Sequence, residues 1–405
     1  MYTPQTVIGY VHEKLPDFFG KGAELEATEL SDGNINFVFR VEEPATGKSL
    51  IIKHAEDTLR VNPARHIGFA RSRIECEVLK LQREYCPDLI PEVYLYDAAE
   101  HNIVMEDMKG YENLRYELCK HKIFPNLAED MADFCGKALI GSTDMIVGAE
   151  KKKEIVDRYT NPKLCEITER HVLTEPYYED LDDNGVTPEN DEFMRTWIYG
   201  SEELHAKVGM LKALFETKAQ ALIHGDLHTG SIFVTPDKTC ILDPEFAFYG
   251  PIGYDTGNFI ANMIFAYANG LYTMSEGEEK ETYLAWVLGT IEEFCDKFSA
   301  KAKDLMREKS SDRQMKSETF FDLYLADIFK DQAGFAGTEL IRRVVGTSGV
   351  RDIKGIEDEA VKAKAERLCM TAGMKFVMEP EEMASGKDYV DYLKTFRETY
   401  SLPEE

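Results

Sequence analysis

The hydrophobic period of this chain changes once, close to Met108, and that switch limits the possible folds more than any other feature. From Glu24 to about Asp107, apolar residues alternate or run in short blocks. NINFVFRVEE, the turn PATGKS with Pro44 and Gly47, and LIIKHA read as a β-hairpin, and PEVYLYDAA and NIVMEDM read as two further short strands. Between them, ARSRIECEVLKLQREY repeats Ile74, Val78, Leu79 and Leu81 at helical spacing. Beyond Met108 the pattern becomes that of long amphipathic helices, in EDMADFCGKALIGSTDMI, HAKVGMLKALFETKAQ, TYLAWVLGTIEEFCDKF and DLYLADIFKDQAGFAGTELIRRVV. The expectation is an α+β chain of two lobes, a small β-rich N-terminal lobe over 1–108 and a larger, mostly helical C-terminal lobe over 109–405.

A length of 405 residues exceeds what one hydrophobic core organises, which agrees with two lobes. The 74 acidic against 47 basic residues give a net charge of -27, which repels phosphate backbones and anionic lipid headgroups and argues against nucleic acid or a membrane as partner. An anionic ligand would therefore need local cations, backbone N–H donors or a bound metal. The eight cysteines form no C-x-x-C pair and sit among aliphatic residues, the N-terminus lacks a signal-peptide pattern, and the longest apolar stretch, FIANMIFAYA, is too short to span a bilayer. These features predict a cytoplasmic protein with reduced thiols. The acidic runs at 179–192 and 276–281 read as solvated loops, and 299–318 as helix or connector.

The chemistry is concentrated in 222-LIHGDLHTGSIFV-234. Leu222-Ile223 and Ile232-Phe233-Val234 read as short strands around a tight polar loop containing Gly225 and Gly230. After the turn TPDKT, 240-CILDPEFAFYG-250 delivers Asp243 and Glu245 to the end of another strand, so that Asp226, Asp243 and Glu245 converge at one edge of a small sheet. Magnesium-dependent phosphoryl transfer needs such a set, with one carboxylate to orient the acceptor hydroxyl and take its proton and others to hold Mg²⁺ against the phosphates of ATP. Zinc competes through the i, i+4 pair His224 and His228, but the glutamate of H-E-x-x-H is absent and the flanking strands and glycines oppose a helix. A loop without chemistry is the remaining reading.

HGDLHTG followed by DPE resembles the catalytic and metal-binding loops of the protein-kinase-like fold, in its small-molecule phosphotransferase branch. The fuller strings ALIHGDLHTGSIFV and DPEFAFYGPIGYD, with RIE, VMED and LIRRVVG, are similar to those of the 5-methylthioribose kinase family, and the likeness in motifs covers most of the chain. The resemblance implies that Asp226 is catalytic, that Asp243 is the main Mg²⁺ ligand and that Glu245 is a second ligand or holds its water shell. Ser231 stands where such kinases commonly carry a metal-binding asparagine. Lys53 would contact the ATP phosphates, oriented by Glu75 or Glu77, with Glu75 the better match. The loop 31-SDGNINF-37, with Gly33 and Asn34, would cover the phosphates, and the connector VMEDM would present backbone groups of Glu106 and Met108 to adenine. Arg342 and Arg343 would close on substrate and reacting phosphate, Asp255 would brace the catalytic loop, His224 would be structural and His228 has no assigned role.

No A-P-E signature follows DPE, and H-G-D replaces H-R-D, so a protein-substrate platform is not expected. The implied activity is ATP-dependent phosphorylation of the 1-hydroxyl of a methylthio pentose in methionine salvage, by an enzyme that is a homodimer in the family. Phosphorylation of an aminoglycoside, choline or homoserine on the same fold, and a nucleotide-binding pseudokinase, are the alternatives.

Overall fold

A computed structural model describes residues 2–30, 35–58, 64–179 and 184–399. Strands β1 (Glu26–Leu30), β2 (Phe37–Glu43), β3 (Lys48–His54), β4 (Val93–Asp97) and β5 (Asn102–Glu106) form an antiparallel sheet in the order β1-β2-β3-β5-β4. The expected hairpin forms in full, from Phe37 opposite His54 to Glu43 opposite Lys48, with Gly47 at φ 71° in its turn. Strand alternation then sorts the side chains. Phe39, Val41, Leu50 and Ile52 are buried in one cluster with Val7, Tyr10 and Val11 of helix α1 (Pro4–Lys14). Lys53, one residue past Ile52, faces the other side of the sheet, toward helix α2 (Ala70–Tyr85).

α2 spans the whole of the expected helical segment and joins two parts of the interior. Cys76 and Leu79 pack with Ile103 and Met105 in the main core, so Met105 is a core residue. Ile74 and Val78 pack instead with Leu222, Ala247 and Tyr249 beside the central motif.

That motif departs from the expected single sheet. Strands β7 (Ala221–Ile223) and β8 (Ile232–Val234), which flank the HGD loop, do not pair with each other. β7 pairs with β10 (Phe248–Gly250), whereas β8 lies between β6 (Glu112–Asn113) and β9 (Thr239–Ile241). Strands of three residues cannot specify a register by pattern alone, and the closure is made by residues distant in sequence.

Helices supply the rest: α3 (Leu114–Leu118), α4 (Ile252–Thr273), α5 (Glu278–Lys309), α6 (Glu318–Val345), α7 (Arg351–Lys354) and α8 (Glu359–Met378). α4 is buried at every position from Ile252 to Leu271, as expected for a helix apolar on nearly all sides. Its close packing on α6 needs Gly257, where a Cβ would lie 2.6 Å from the Gln332 carbonyl oxygen. The acidic run at 276–281 is a correction: Glu278, Glu279 and Glu281 open α5, where the N-terminal end of the helix dipole favours them. Of the other acidic run, residues 180–183 lie outside the described residues, and Pro188–Phe193 is a short helix rather than a loop. The tract 299–318 is helical to Lys309 and a connector beyond it. All eight cysteines are unpaired, and among the described residues no helix is long and apolar enough to cross a membrane.

Candidate active site

The turn after β7 is shaped by one glycine. Gly225 has φ 80°, and a Cβ there would stand 2.4 Å from the Phe246 carbonyl oxygen, so the HGD loop lies directly against the DPE turn. Asp255, fully buried in the first turn of α4, holds this loop by accepting the N–H of His224 at 2.6 Å and of Gly225 at 2.9 Å. The buried ring of His224 ties the two loops together, with Nε2 2.7 Å from the Leu242 carbonyl oxygen and Nδ1 accepting the Asp226 N–H at 3.3 Å. That pattern requires the neutral Nε2–H tautomer. Burial pushes the His224 pKa down to about 4, against the opposing pull of the Leu242 carbonyl and Asp226.

The loop presents Asp226 to a cationic neighbour. Its Oδ1 is 3.9 Å from Arg343 Nη2 and its Oδ2 is 3.3 Å from His228 Nε2. Burial acts to raise the Asp226 pKa, but His228, Arg343 and Arg342 outweigh it and hold the carboxyl well below the usual range. His228 is itself pushed down, by burial first and then by Arg115 and Arg343, against Asp226. The imidazole is therefore neutral near pH 7, where the arginines keep Asp226 ionised. The buried Ser231 Oγ donates to the Asp226 carbonyl oxygen at 3.1 Å and so braces the loop.

Arg342 and Arg343 end α6 as a fixed pair. Both Nε atoms donate to the buried carboxylate of Glu339, at 2.5 and 2.8 Å, and Arg343 Nη1 reaches the Ser348 carbonyl oxygen at 3.1 Å. Burial opposes ionisation of Glu339, yet Arg342 and Arg343 bring its pKa down to about 2. Two guanidinium groups are thus held by one carboxylate, leaving net positive charge beside Asp226.

Lys53 meets its expected partner, with Nζ 2.7 Å from Glu75 Oε1, and also lies 2.8 Å from Asp243 Oδ1, a pairing the sequence reading did not foresee. Burial acts against its charge, but Asp243 and Glu75 dominate and raise its pKa. Glu77, the other candidate, faces outward to Arg73 at 2.9 Å and Arg158 at 2.8 Å, which decides the pairing in favour of Glu75. Asp243 adopts a left-handed conformation, φ 63° and ψ 45°, that few non-glycine residues accept. Its side chain remains 48% exposed, so one carboxylate face stays open although Lys53 occupies the other.

Glu245 is buried and committed differently. Its Oε2 accepts from Asn36 Nδ2 at 3.0 Å and lies 3.7 Å from Arg71 Nη1, which also donates to Asn36 Oδ1 at 2.6 Å. One oxygen of this candidate metal ligand is therefore occupied by Asn36, a residue of the expected phosphate loop 31–37. Gly33 and Asn34, on that loop, lie outside the described residues. Glu106 ends β5, and its N–H donates to the Glu92 carbonyl oxygen at 2.8 Å, so this amide is not open to a base. The Met108 carbonyl accepts from the Tyr111 N–H at 3.0 Å.

Three residues of this arrangement are absent from the sequence reading. Glu339 carries a signal, because an acid three and four residues before two arginines on one helix is placed to reach both. Asn36 and Arg71 carry none, since their contact with Glu245 joins segments more than 170 residues apart.

The sheet, the buried lysine–glutamate pair and the two aspartate loops define a phosphotransferase, and a profile of the phosphotransferase enzyme family matches residues 26–274. Methylthioribose kinases of Geobacillus sp. (strain WCH70) and Bacillus pumilus (strain SAFR-032) are 34% and 35% identical to this chain over 371 residues, covering 91% of it and 90% and 91% of themselves. That of Erwinia tasmaniensis is 35% identical over 364 residues, 89% of this chain and 90% of its own. A solved choline kinase from Cryptosporidium parvum Iowa II aligns with 98% of each chain at 15% identity and a TM-score of 0.49. The chain belongs to the methylthioribose kinase family.

Proposed function

We propose that this protein transfers the γ-phosphoryl group of ATP to the 1-hydroxyl of 5-S-methyl-5-thio-D-ribose, giving the 1-phosphate and ADP, in the cytoplasm as a step of methionine salvage. The observation that carries the reading is the Asp226 carboxylate 3.9 Å from the fixed guanidinium of Arg343, in a chain about one-third identical to methylthioribose kinases over nine-tenths of its length. Asp226 accepts the hydrogen bond of the 1-hydroxyl, aligns the oxygen on the γ-phosphorus and takes the proton as the O–P bond forms. Arg343 and Arg342 offset the charge that develops on the transferring group, having been oriented beforehand by Glu339. Lys53 binds the α- and β-phosphates, with Glu75 holding its ammonium in place.

The residues present suit Mg²⁺. Among the described residues no three His, Cys, Asp or Glu side chains form a protein-only metal cage, and the half-exposed Asp243 instead offers a single open carboxylate face. Mg²⁺ prefers such a site, with phosphate oxygens and water completing its shell, and when bound would neutralise phosphate charge. Asp243 would hold it, and Glu245 would support it directly or through water. A homodimer is part of this reading through the family likeness, and sedimentation over a range of concentrations checks it.

ADP release with Mg²⁺–ATP and methylthioribose, beside ribose, choline and an aminoglycoside, tests the substrate. Selective turnover of methylthioribose is expected, and equal or faster turnover of another acceptor would reassign it. Asp226→Asn should lower kcat by about 10³-fold or more while ATP binding persists. An active variant would remove Asp226 from the central role.

A further inference from the structure

Two opposite charges are buried side by side at the DPE turn, yet they do not close on each other. Arg71, on α2, and Glu245 are both buried, and Nη1 of the first lies 3.7 Å from Oε2 of the second. Charged partners free to meet settle at about 2.7–2.9 Å, as Lys53 does with Asp243 at 2.8 Å. Asn36, itself buried, stands between the two. Its Oδ1 accepts from Arg71 Nη1 at 2.6 Å, and its Nδ2 donates to Glu245 Oε2 at 3.0 Å. Further contacts hold both ends in place. Arg71 Nη2 donates to the Glu56 carbonyl oxygen at 2.8 Å, and Asn161 Nδ2 donates to the Glu245 and Ala247 carbonyl oxygens at 2.8 and 3.2 Å.

A buried guanidinium and a buried carboxylate this close would pair directly without the amide, because each gains more from the opposite charge than from a neutral group. A carboxylate locked to a guanidinium has its charge cancelled and is a poor ligand for a hard cation, whereas one that accepts an amide N–H keeps its charge. We propose that Asn36 is a positioning residue that keeps Glu245 out of a direct ion pair with Arg71 and so leaves its carboxylate able to support the Mg²⁺ that accompanies ATP. This rests on the role proposed above for Glu245 toward Mg²⁺. The amide serves in one orientation only, donor toward the carboxylate and acceptor toward the guanidinium, and its two charged neighbours fix that orientation. Because Asn36 belongs to the expected phosphate loop 31–37, the same contact sets that loop against the metal turn.

The test is calorimetric. ATP affinity is measured with Mg²⁺ and with EDTA for wild type, Asn36→Ala, Glu245→Gln and the double variant, alongside thermal melting. The ratio of the two affinities gives, for each protein, the tightening that Mg²⁺ supplies. Asn36→Ala should cut that ratio about fivefold or more, because Arg71 closes on Glu245, whereas a purely structural amide would lower melting and leave the ratio unchanged. The double variant should lose no more than Glu245→Gln alone, since Asn36 acts through that carboxylate. Asn36→Ser, whose hydroxyl is too short to reach both charges, should shift the ratio in the same direction and carries the test if Asn36→Ala does not fold. A ratio that stays at the wild-type value in the folded Asn36 variants, or losses that multiply in the double variant, would remove Asn36 from this role. If Glu245→Gln itself leaves the ratio unchanged, the metal role of Glu245 falls, and that of Asn36 with it.

Discussion

Single residues separate here by what surrounds them, even where the sequence makes them look alike. Glu75 and Glu77 lie two apart on one helix, yet the first is 1% exposed against Lys53 and the second bridges two surface arginines. Glu75→Gln should therefore raise KM for ATP about tenfold, whereas Glu77→Gln should leave it within about twofold. Steady-state kinetics at saturating acceptor decides, and an equal effect of both would break the assigned pairing. His224 makes a pH prediction. Its pKa is about 4 in the folded protein, below the ordinary value of 6.5, so the unfolded chain binds the extra proton first. The stability it supports is complete above about pH 6.5 and falls as pH drops toward 4, by about 3 kcal/mol if fully expressed. Urea unfolding between pH 7 and 4 should show a smaller pH dependence for His224→Gln than for wild type; identical slopes would exclude His224 as the source.

Elements set the distances that these residues need. β7 and β8 are only three residues each, and the loop between them keeps its form through Gly225, Asp255 and the Phe246 carbonyl rather than through strand pairing. Gly225→Ala would combine an unfavourable positive φ with a clash against backbone that cannot swing aside. A loss of about 2–4 kcal/mol in unfolding free energy is expected, with activity falling as well. Near-normal stability in chemical denaturation would show that the loop is looser than its contacts indicate. The α2 helix and the β2–β3 hairpin are legible in the sequence because their apolar residues follow one period over many positions. The separate ladders of β7 and β8 are not legible, because three residues carry no period.

At the scale of the whole molecule, the sheet lobe and the helical part are joined by contacts that belong to the site. Lys53 reaches Asp243 at 2.8 Å, Asn36 reaches Glu245 at 3.0 Å, and the Ile241 N–H donates to the Leu89 carbonyl oxygen at 2.8 Å. A nucleotide bound between these parts should stabilise the protein as a unit. At ATP a hundredfold above its Kd with Mg²⁺, roughly 2.7 kcal/mol is expected, seen as a rise in Tm. EDTA or Lys53→Met should remove most of that rise, and a shift that survives both would place the nucleotide elsewhere. The sequence by itself determined the order of strand and helix and set Lys53, Asp226 and Asp243 in short motifs, because local period and short motifs depend on neighbours along the chain. Only the tertiary structure decided between Glu75 and Glu77 and tied Glu245 to Asn36 and Arg71. Those choices depend on burial and on contacts between segments far apart in sequence, where the cost of an unpaired charge is set by the surroundings and not by the residue type.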